Sequence, residues 1–327
     1  MKINTILELS IILESEKFWS VVERSYRGDD VFEEADGDCV DRCLEDKGLL
    51  VMYRNRQYKK SIKVIARTKM IADGEPQNIE KLLRKLRKRI SLYFGPDLCL
   101  EDFVVSEVSL STDIDVRDRA NVQGYLKVLK KMGRIKGFSV VDHDGVDDNS
   151  YYRLKGNSRA VDCVFFDLER IMEQHIKNTD LDKCYANELL RECRGILRAE
   201  VRLKKTREIL AYTNEVDTAD QIAALIENDS KIFMDVFARI VPFGAFLKQD
   251  KALEMIRKEV HDSALRRRMA RLLVLVSQKK SLRLAQKEMN CRNVDVVMQA
   301  FAQINLAPVS LSKRLTVKQL TNLYEML

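Results

Sequence analysis

Between residues 197 and 204 the chain alternates strictly. Leu197, Ala199, Val201 and Leu203 are apolar, and Arg198, Glu200, Arg202 and Lys204 between them are charged. A period of two sends the two sets to opposite faces of a β-strand, one a core face and the other a glutamate among three cations. The stretch "DFVVSEVSLSTDIDV" at 102–116 repeats the pattern, with Val108, Leu110, Ile114 and Val116 set against Glu107, Ser109, Ser111, Asp113 and Asp115. Further strands are expected at 2–13, at 49–67 as a pair around the polar turn "RNRQ", and at 159–167, "RAVDCVFFD".

Helical spacing fills much of the rest. Ser15 is the expected N-cap of a helix through "SEKFWSVVERSY". In "PQNIEKLLRKLRKRISLYF" Ile79, Leu82, Leu83, Leu86 and Ile90 share one face, and the polar face is almost wholly Lys and Arg. Helices are also expected at 121–133 and at "LERIMEQHI", with an Asp- and Gly-rich loop at 141–150. After Thr218 no strand-like alternation is evident. A helix at 293–304 follows the turn "NCRN", and a last helix, capped by Thr316, follows the turn "LAPVS". The expected fold is α+β: a central, mostly antiparallel sheet with packed helices over residues 1–215, then an all-helical basic domain over 216–327.

Composition narrows the classes. The chain has 327 residues, 46% of them hydrophobic, and only 4 Pro and 12 Gly, which suits a folded rather than a disordered protein. No apolar run reaches the roughly 18 residues of a membrane span, and Glu8 interrupts the apolar opening, so a cytoplasmic protein with no membrane partner is expected. Seven cysteines, an odd number without a C-x-x-C pair, point to reduced thiols.

The charge of +7 is unevenly placed. Residues 217–327 carry 18 Lys and Arg against 12 Asp and Glu, whereas residues 1–216 carry 39 against 38. Within 266–318 twelve cations face only Glu288 and Asp295, the footprint expected of a polyanion-binding region with salt-dependent affinity. Ala285 and Ala300, small residues on short helices, suit a helix-turn-helix arrangement. Lys279, Lys280, Arg283, Ser310, Ser312, Lys313 and Arg314 are then candidates for contact with phosphates or base edges. A helical bundle with a basic surface is the alternative.

If the strands at 107–115 and 196–204 turn their polar sets to the same side, Asp113, Asp115 and Glu200 offer oxygen ligands suited to Mg²⁺ or Mn²⁺. Arg198, Arg202 and Lys204, with Arg159, would steer a phosphate there. An ordinary solvated face is the competing reading.

Taken together, "YYRLKGNSRAVDCVFFDLE" and the later "GILRAEVRLKK" resemble the core of the rolling-circle replication initiators, the filamentous-phage replication proteins and the trans-acting Rep proteins of plasmids, over roughly residues 102–210. The resemblance implies an HUH-related nuclease in which a tyrosine attacks a DNA phosphodiester polarised by a carboxylate-bound Mg²⁺ or Mn²⁺. By it Glu200 matches the glutamate of the family's Arg-x-Glu strand and Asp113 an acidic position of the earlier strand. DNA, including single-stranded or origin DNA, is the implied partner, with a host replication helicase beside it, in a plasmid, phage or other mobile element. Two positions depart from the pattern. Ser109 stands where a first aspartate is usual, and Phe166 stands where the phage proteins place tyrosine; phenylalanine cannot attack a phosphate. Tyr151, Tyr152 and Tyr185 are the candidate replacements. The two main readings are therefore a nicking initiator, and a non-catalytic nucleic-acid-binding or regulatory protein that kept the fold. A protein-interaction scaffold with solvated charges is the third.

Overall fold

The computed structural model describes residues 1–28, 37–74, 78–133, 135–141, 150–157, 160–179, 181–289 and 294–327. The chain runs β1 (Asn4–Leu13), α1 (Ser15–Ser25), β2 (Gly37–Asp41), β3 (Leu49–Arg56), β4 (Lys59–Arg67), α2 (Thr68–Ala72), α3 (Ile79–Phe94) and β5 (Val104–Asp115). It continues through α4 (Arg119–Lys130), β6 (Phe138–Val141), β7 (Tyr151–Gly156), β8 (Val161–Asp167), α5 (Leu168–Lys177), α6 (Lys183–Cys193), β9 (Ile196–Leu203), α7 (Thr206–Thr213), α8 (Thr218–Glu227) and α9 (Asp229–Ile240). Last come β10 (Phe246–Leu247), α10 (Gln249–Glu259), α11 (Ser263–Lys279), α12 (Leu282–Met289), α13 (Val294–Gln303) and β11 (Gln319–Leu320).

The protein is α+β: nine strands form one antiparallel sheet in the order β2-β3-β4-β1-β5-β9-β8-β7-β6, and a mostly helical C-terminal region, α10 to α13, follows. Cα packing divides the chain into two compact units, one of residues 3–111 and 202–233, the other of residues 1–2, 112–201 and 234–327. Among the described residues no helix is long and apolar enough to cross a membrane.

In the first unit the alternation of β1, β3 and β4 puts Leu7, Leu9, Val51, Tyr53, Ile62 and Val64 into the core. The helices supply the other wall. Leu82, Leu86, Ile90 and Phe94 of α3 are buried, as the helical spacing predicts, and α3 packs on α1 and α8. Asn78 caps α3 by accepting the Lys81 N–H at 2.7 Å. Ser15, by contrast, opens α1 rather than capping it; Glu14 holds the cap position without a side-chain bond.

In the second unit α4 is the centre of packing. Val122, Tyr125, Leu126, Val128 and Leu129 are all buried, and α4 lies against β7, β8 and β11. The C-terminal region is tied to it by polar bonds: Tyr125 Oη donates to the Thr321 carbonyl at 2.7 Å, Lys131 Nζ to the Ser310 carbonyl at 2.8 Å, and the Leu282 N–H to the Lys131 carbonyl at 2.9 Å.

Two expectations for the C-terminal region fail. No helix begins at Thr316. Leu320 instead pairs with Phe246 in the β10–β11 ladder, and both side chains are buried. Asn322, fully buried, accepts the Tyr324 N–H and donates to Asn305 Oδ1 at 2.9 Å, which holds the tail in an extended path into a short 3₁₀ turn. The region is therefore mostly rather than wholly helical. The "NCRN" turn and most of the 141–150 loop lie outside the described residues.

β9 is joined to β5 at a tight point. The Val116 N–H donates to the Gly195 carbonyl at 2.9 Å, and Gly195 has φ +72°, a left-handed conformation that glycine adopts without penalty. A Cβ there would stand 2.6 Å from the Arg117 carbonyl carbon. Gly195→Ala is expected to lower stability by about 2–4 kcal/mol, read from urea unfolding, because both the backbone conformation and the clash oppose it. A loss under about 0.5 kcal/mol would mean that the turn relaxes around the methyl group.

Candidate functional site

The burial pattern of β9 is strictly alternate: Leu197, Ala199, Val201 and Leu203 are buried, and Ile196, Arg198, Glu200 and Arg202 are half-buried. β5 alternates likewise at its end, with Thr112 and Ile114 buried and Asp113 and Asp115 exposed. In the second unit the polar sets of the two strands face the same side. The Arg198 guanidinium closes a fork on Asp113, with Nε donating to Oδ1 at 2.5 Å and Nη2 to Oδ2 at 2.7 Å. That pairing, ahead of the opposing effect of burial, raises the Arg198 pKa, so the guanidinium stays charged at any physiological pH.

The fork decides what Asp113 can do. Both of its oxygens are engaged by a cation. Asp115 is exposed, and its Oδ1 accepts the Arg117 N–H at 2.8 Å, holding the residue that turns the chain with φ +77°. Glu200 is the next polar position after Arg198 on β9, and its charge reaches both Arg198 and Cys163. Among the described residues no three His, Cys, Asp or Glu side chains converge as a metal site requires. As they stand, Asp113, Asp115 and Glu200 do not fit a divalent ion. Their excess over Arg198 also makes these polar positions net negative.

In the first unit the polar positions read differently. Register pairs Glu8 of β1 directly with Glu107 of β5. Lys63 Nζ lies 2.5 Å from Glu8 Oε1, and Ser106 Oγ lies 2.9 Å from the same oxygen. Arg202 and Lys204 sit close enough to Glu107 to favour its charged form. Burial, then the neighbouring Glu8, nevertheless outweigh these cations and raise the Glu107 pKa above its ordinary 4.5. Arg202 and Lys204 thus answer a half-buried carboxylate pair.

Of the tyrosines, Tyr152 is excluded as a nucleophile. It is 2% exposed and stacked on the buried Phe165 with ring centroids 6.3 Å apart, where a phosphodiester cannot reach, and burial raises its hydroxyl pKa well above the ordinary value. The error is one of register: Tyr151, one residue earlier, points to the other face. It is the cross-strand partner of Phe166 and is stacked on it at 6.1 Å. Tyr185 is 54% exposed on α6. Arg159 lies outside the described residues.

The C-terminal candidates separate into two kinds. Ser310 is structural: it is 2% exposed, its hydroxyl lies 2.9 Å from Ser277 Oγ, and its carbonyl takes Lys131. Ser312 is half-buried, and its Oγ accepts the Arg314 N–H at 3.4 Å. Lys279 is paired with Glu288 at 2.7 Å, and Lys280 closes α11 in the left-handed conformation. Arg283, Lys313 and Arg314 are exposed. The sequence reading gave no separate weight to α11, whose Arg267, Arg268 and Arg271 are all exposed; from Ser263 to Lys279 the helix has five cations and no carboxylate. That signal was legible in the run "RRRMAR". Comparison with protein-family models and with curated proteins finds no match for this chain.

The raised pKa of Glu107 carries a sign. A carboxyl that binds its proton more tightly when folded contributes stability that is complete below its ordinary pKa and lost as pH rises through the folded value. Glu107→Gln removes that loss. The variant is expected to unfold at higher urea than the parent at pH 7, with the two converging below about pH 4. Equal stability at both pH values would mean that Arg202 and Lys204 fully compensate the charge.

Proposed function

We propose that the protein is a nucleic-acid-binding protein of the rolling-circle-initiator type, from a plasmid, phage or other mobile element, and that it acts by binding DNA rather than by nicking it. The observation that carries the reading is the exposed basic run of α11, with Arg267, Arg268 and Arg271 on a helix without a single carboxylate. Exposed Lys313 and Arg314 add to it. The Ser277–Ser310 bond sets the 310–314 stretch beside the last turns of α11. The helix-turn-helix reading of α12 and α13 belongs to the same proposal.

Three features favour binding over strand cleavage. Phe166 cannot act as a nucleophile, Tyr152 is enclosed in the core, and Asp113 is committed to Arg198. The polar positions of β5 and β9 in the second unit are net negative, which disfavours a phosphate at Arg198. On this reading α11, rather than the "RAEVRLKK" strand, meets the backbone, and the resemblance in that strand marks a retained fold.

Binding of labelled single-stranded and duplex DNA across a salt series tests this. Affinity is expected to fall steeply with salt. Replacing Arg267, Arg268 and Arg271 together by alanine should flatten the log–log slope by about 2–3, while Arg198→Ala leaves it unchanged. With Mn²⁺ and supercoiled DNA, no covalent protein–DNA adduct is expected. An adduct lost in Tyr151→Phe or Glu200→Ala would overturn the binding-only reading, and absence of DNA affinity at low salt would overturn the reading as a whole.

A further inference from the structure

The first unit contains a cavity of about 280 Å³ onto which three cations, Arg27, Lys47 and Arg89, converge. They come from three places: the segment after α1, the turn before β3, and α3. Among the described residues none of the three is in a salt bridge. Arg89 donates through Nη1 to the Lys47 carbonyl, which fixes the guanidinium over the cavity and leaves its other N–H groups for a ligand. Asp73, whose charge Arg89 feels, is paired with Lys85 at 2.6 Å.

Beneath these cations lies one carboxylate, Asp41, whose oxygens are already engaged. Asp41 is 2% exposed, and its oxygens are taken: Oδ2 accepts Tyr93 Oη at 2.6 Å and the Arg27 N–H at 2.8 Å, and Oδ1 accepts the Cys43 N–H at 2.9 Å. Tyr93 gives its proton to Asp41, so Tyr53 donates to Tyr93 across 3.0 Å. Burial works against the Asp41 charge, but these donors outweigh it and hold the carboxyl below its usual range. Burial, then Asp41, raises the Cys43 thiol to about 11, so it stays neutral at pH 7. The floor is thus a closed hydrogen-bonded chain that supports the cavity without donating into it.

Three cations against the single buried charge of Asp41 leave the cavity net positive, and an anion there would relieve the repulsion among them. Two guanidiniums and an ammonium match a phosphate dianion, which takes planar forks from arginine and a point charge from lysine. The volume exceeds what a bare phosphate fills and approaches the lower end of small-molecule sites. Its walls include Leu44 and Leu92, and Leu92 is 69% exposed, an apolar side chain placed to meet an organic body. We propose that this cavity binds a phosphomonoester of about mononucleotide size, with Arg27, Lys47 and Arg89 holding the phosphate and Leu44 and Leu92 flanking the body. The proposal does not rest on the nucleic-acid reading of α11.

Calorimetric titration of the full chain with adenosine 5′-monophosphate, adenosine and inorganic phosphate tests it. The monophosphate is expected to bind, adenosine not. Lys47→Gln and Arg27→Gln, which remove no side-chain hydrogen bond among the described residues, should each weaken the monophosphate about tenfold with unchanged circular dichroism. Leu92→Ser should weaken the monophosphate more than inorganic phosphate. A 5′-phosphorylated oligonucleotide that binds through the same residues more tightly than the monophosphate would identify a nucleic-acid end as the source of the ester; preference for the monophosphate would identify a free nucleotide. The alanine variant of α11 should leave this binding intact. No heat with the monophosphate at millimolar concentration, or affinity unchanged in both the Lys47 and Arg27 variants, would overturn the proposal.

Discussion

The register between β1 and β5 constrains much of what surrounds it. Burying Leu7 and Leu9 against Val105 and Val108 forces Glu8 and Glu107 to stand directly opposite one another on the other face. Like charges in such a pair destabilise a sheet. A slip of one residue would relieve them only by turning the core leucines to solvent. The chain accommodates the pair in place instead. A bulge between Glu8 and Leu9 makes Ser106 the extra residue, its hydroxyl near Glu8, and Lys63, Arg202 and Lys204 bring positive charge to the two carboxylates. The cations at the end of β9, which the sequence presents as a phosphate-steering row, have a structural cause in this pair.

How far the sequence could be read follows from the range of the interactions concerned. The two faces of β9 and β5 were legible because alternation is local, and so was the apolar face of α3. The short strands β2, β6 and β7 were not, since four to six residues give too little period to separate from a loop. Tyr151 and Tyr152 are adjacent in sequence, so composition cannot say which one enters the core; only the pairing of Tyr152 with Phe165 settles it. At the candidate site the sequence left open whether the polar sets of the two strands share a side; the fork shows Asp113 and Arg198 on one side. The sequence could not show that they would bond to each other, because that depends on strands 85 residues apart meeting in one register.

The C-terminal tail illustrates the same limit. "LTVKQLTNLYEML" has spacing that a helix could use, yet its hydrophobic residues answer to α4 and Phe246. Gly124 leaves the space that Leu320 occupies: a Cβ there would stand 3.1 Å from the leucine's Cδ1. Tyr125 then fixes the tail by its bond to Thr321. The partners on α4 are nearly two hundred residues away in the chain, and their pull outweighs helix propensity, which amounts to a few tenths of a kcal/mol per residue. Ser310 is held for the same reason, and a hydroxyl spent on Ser277 is not available to a phosphate.

The distribution of charge, more than its sum, then decides where a polyanion can settle. At physiological salt a charge acts over about 8 Å, so each patch attracts or repels nearly on its own account. In the second unit the polar positions of β5 and β9 carry three carboxylates to one guanidinium, and that guanidinium is already forked to Asp113. A phosphate approaching Arg198 would have to displace a carboxylate from it while facing two others. On α11 the exposed Arg267, Arg268 and Arg271 have no carboxylate within their own helix. Part of the basic excess of residues 266–318 is therefore carried by exposed arginines of one helix. The strand whose motif resembles the initiators spends its Arg198 on Asp113, within the fold.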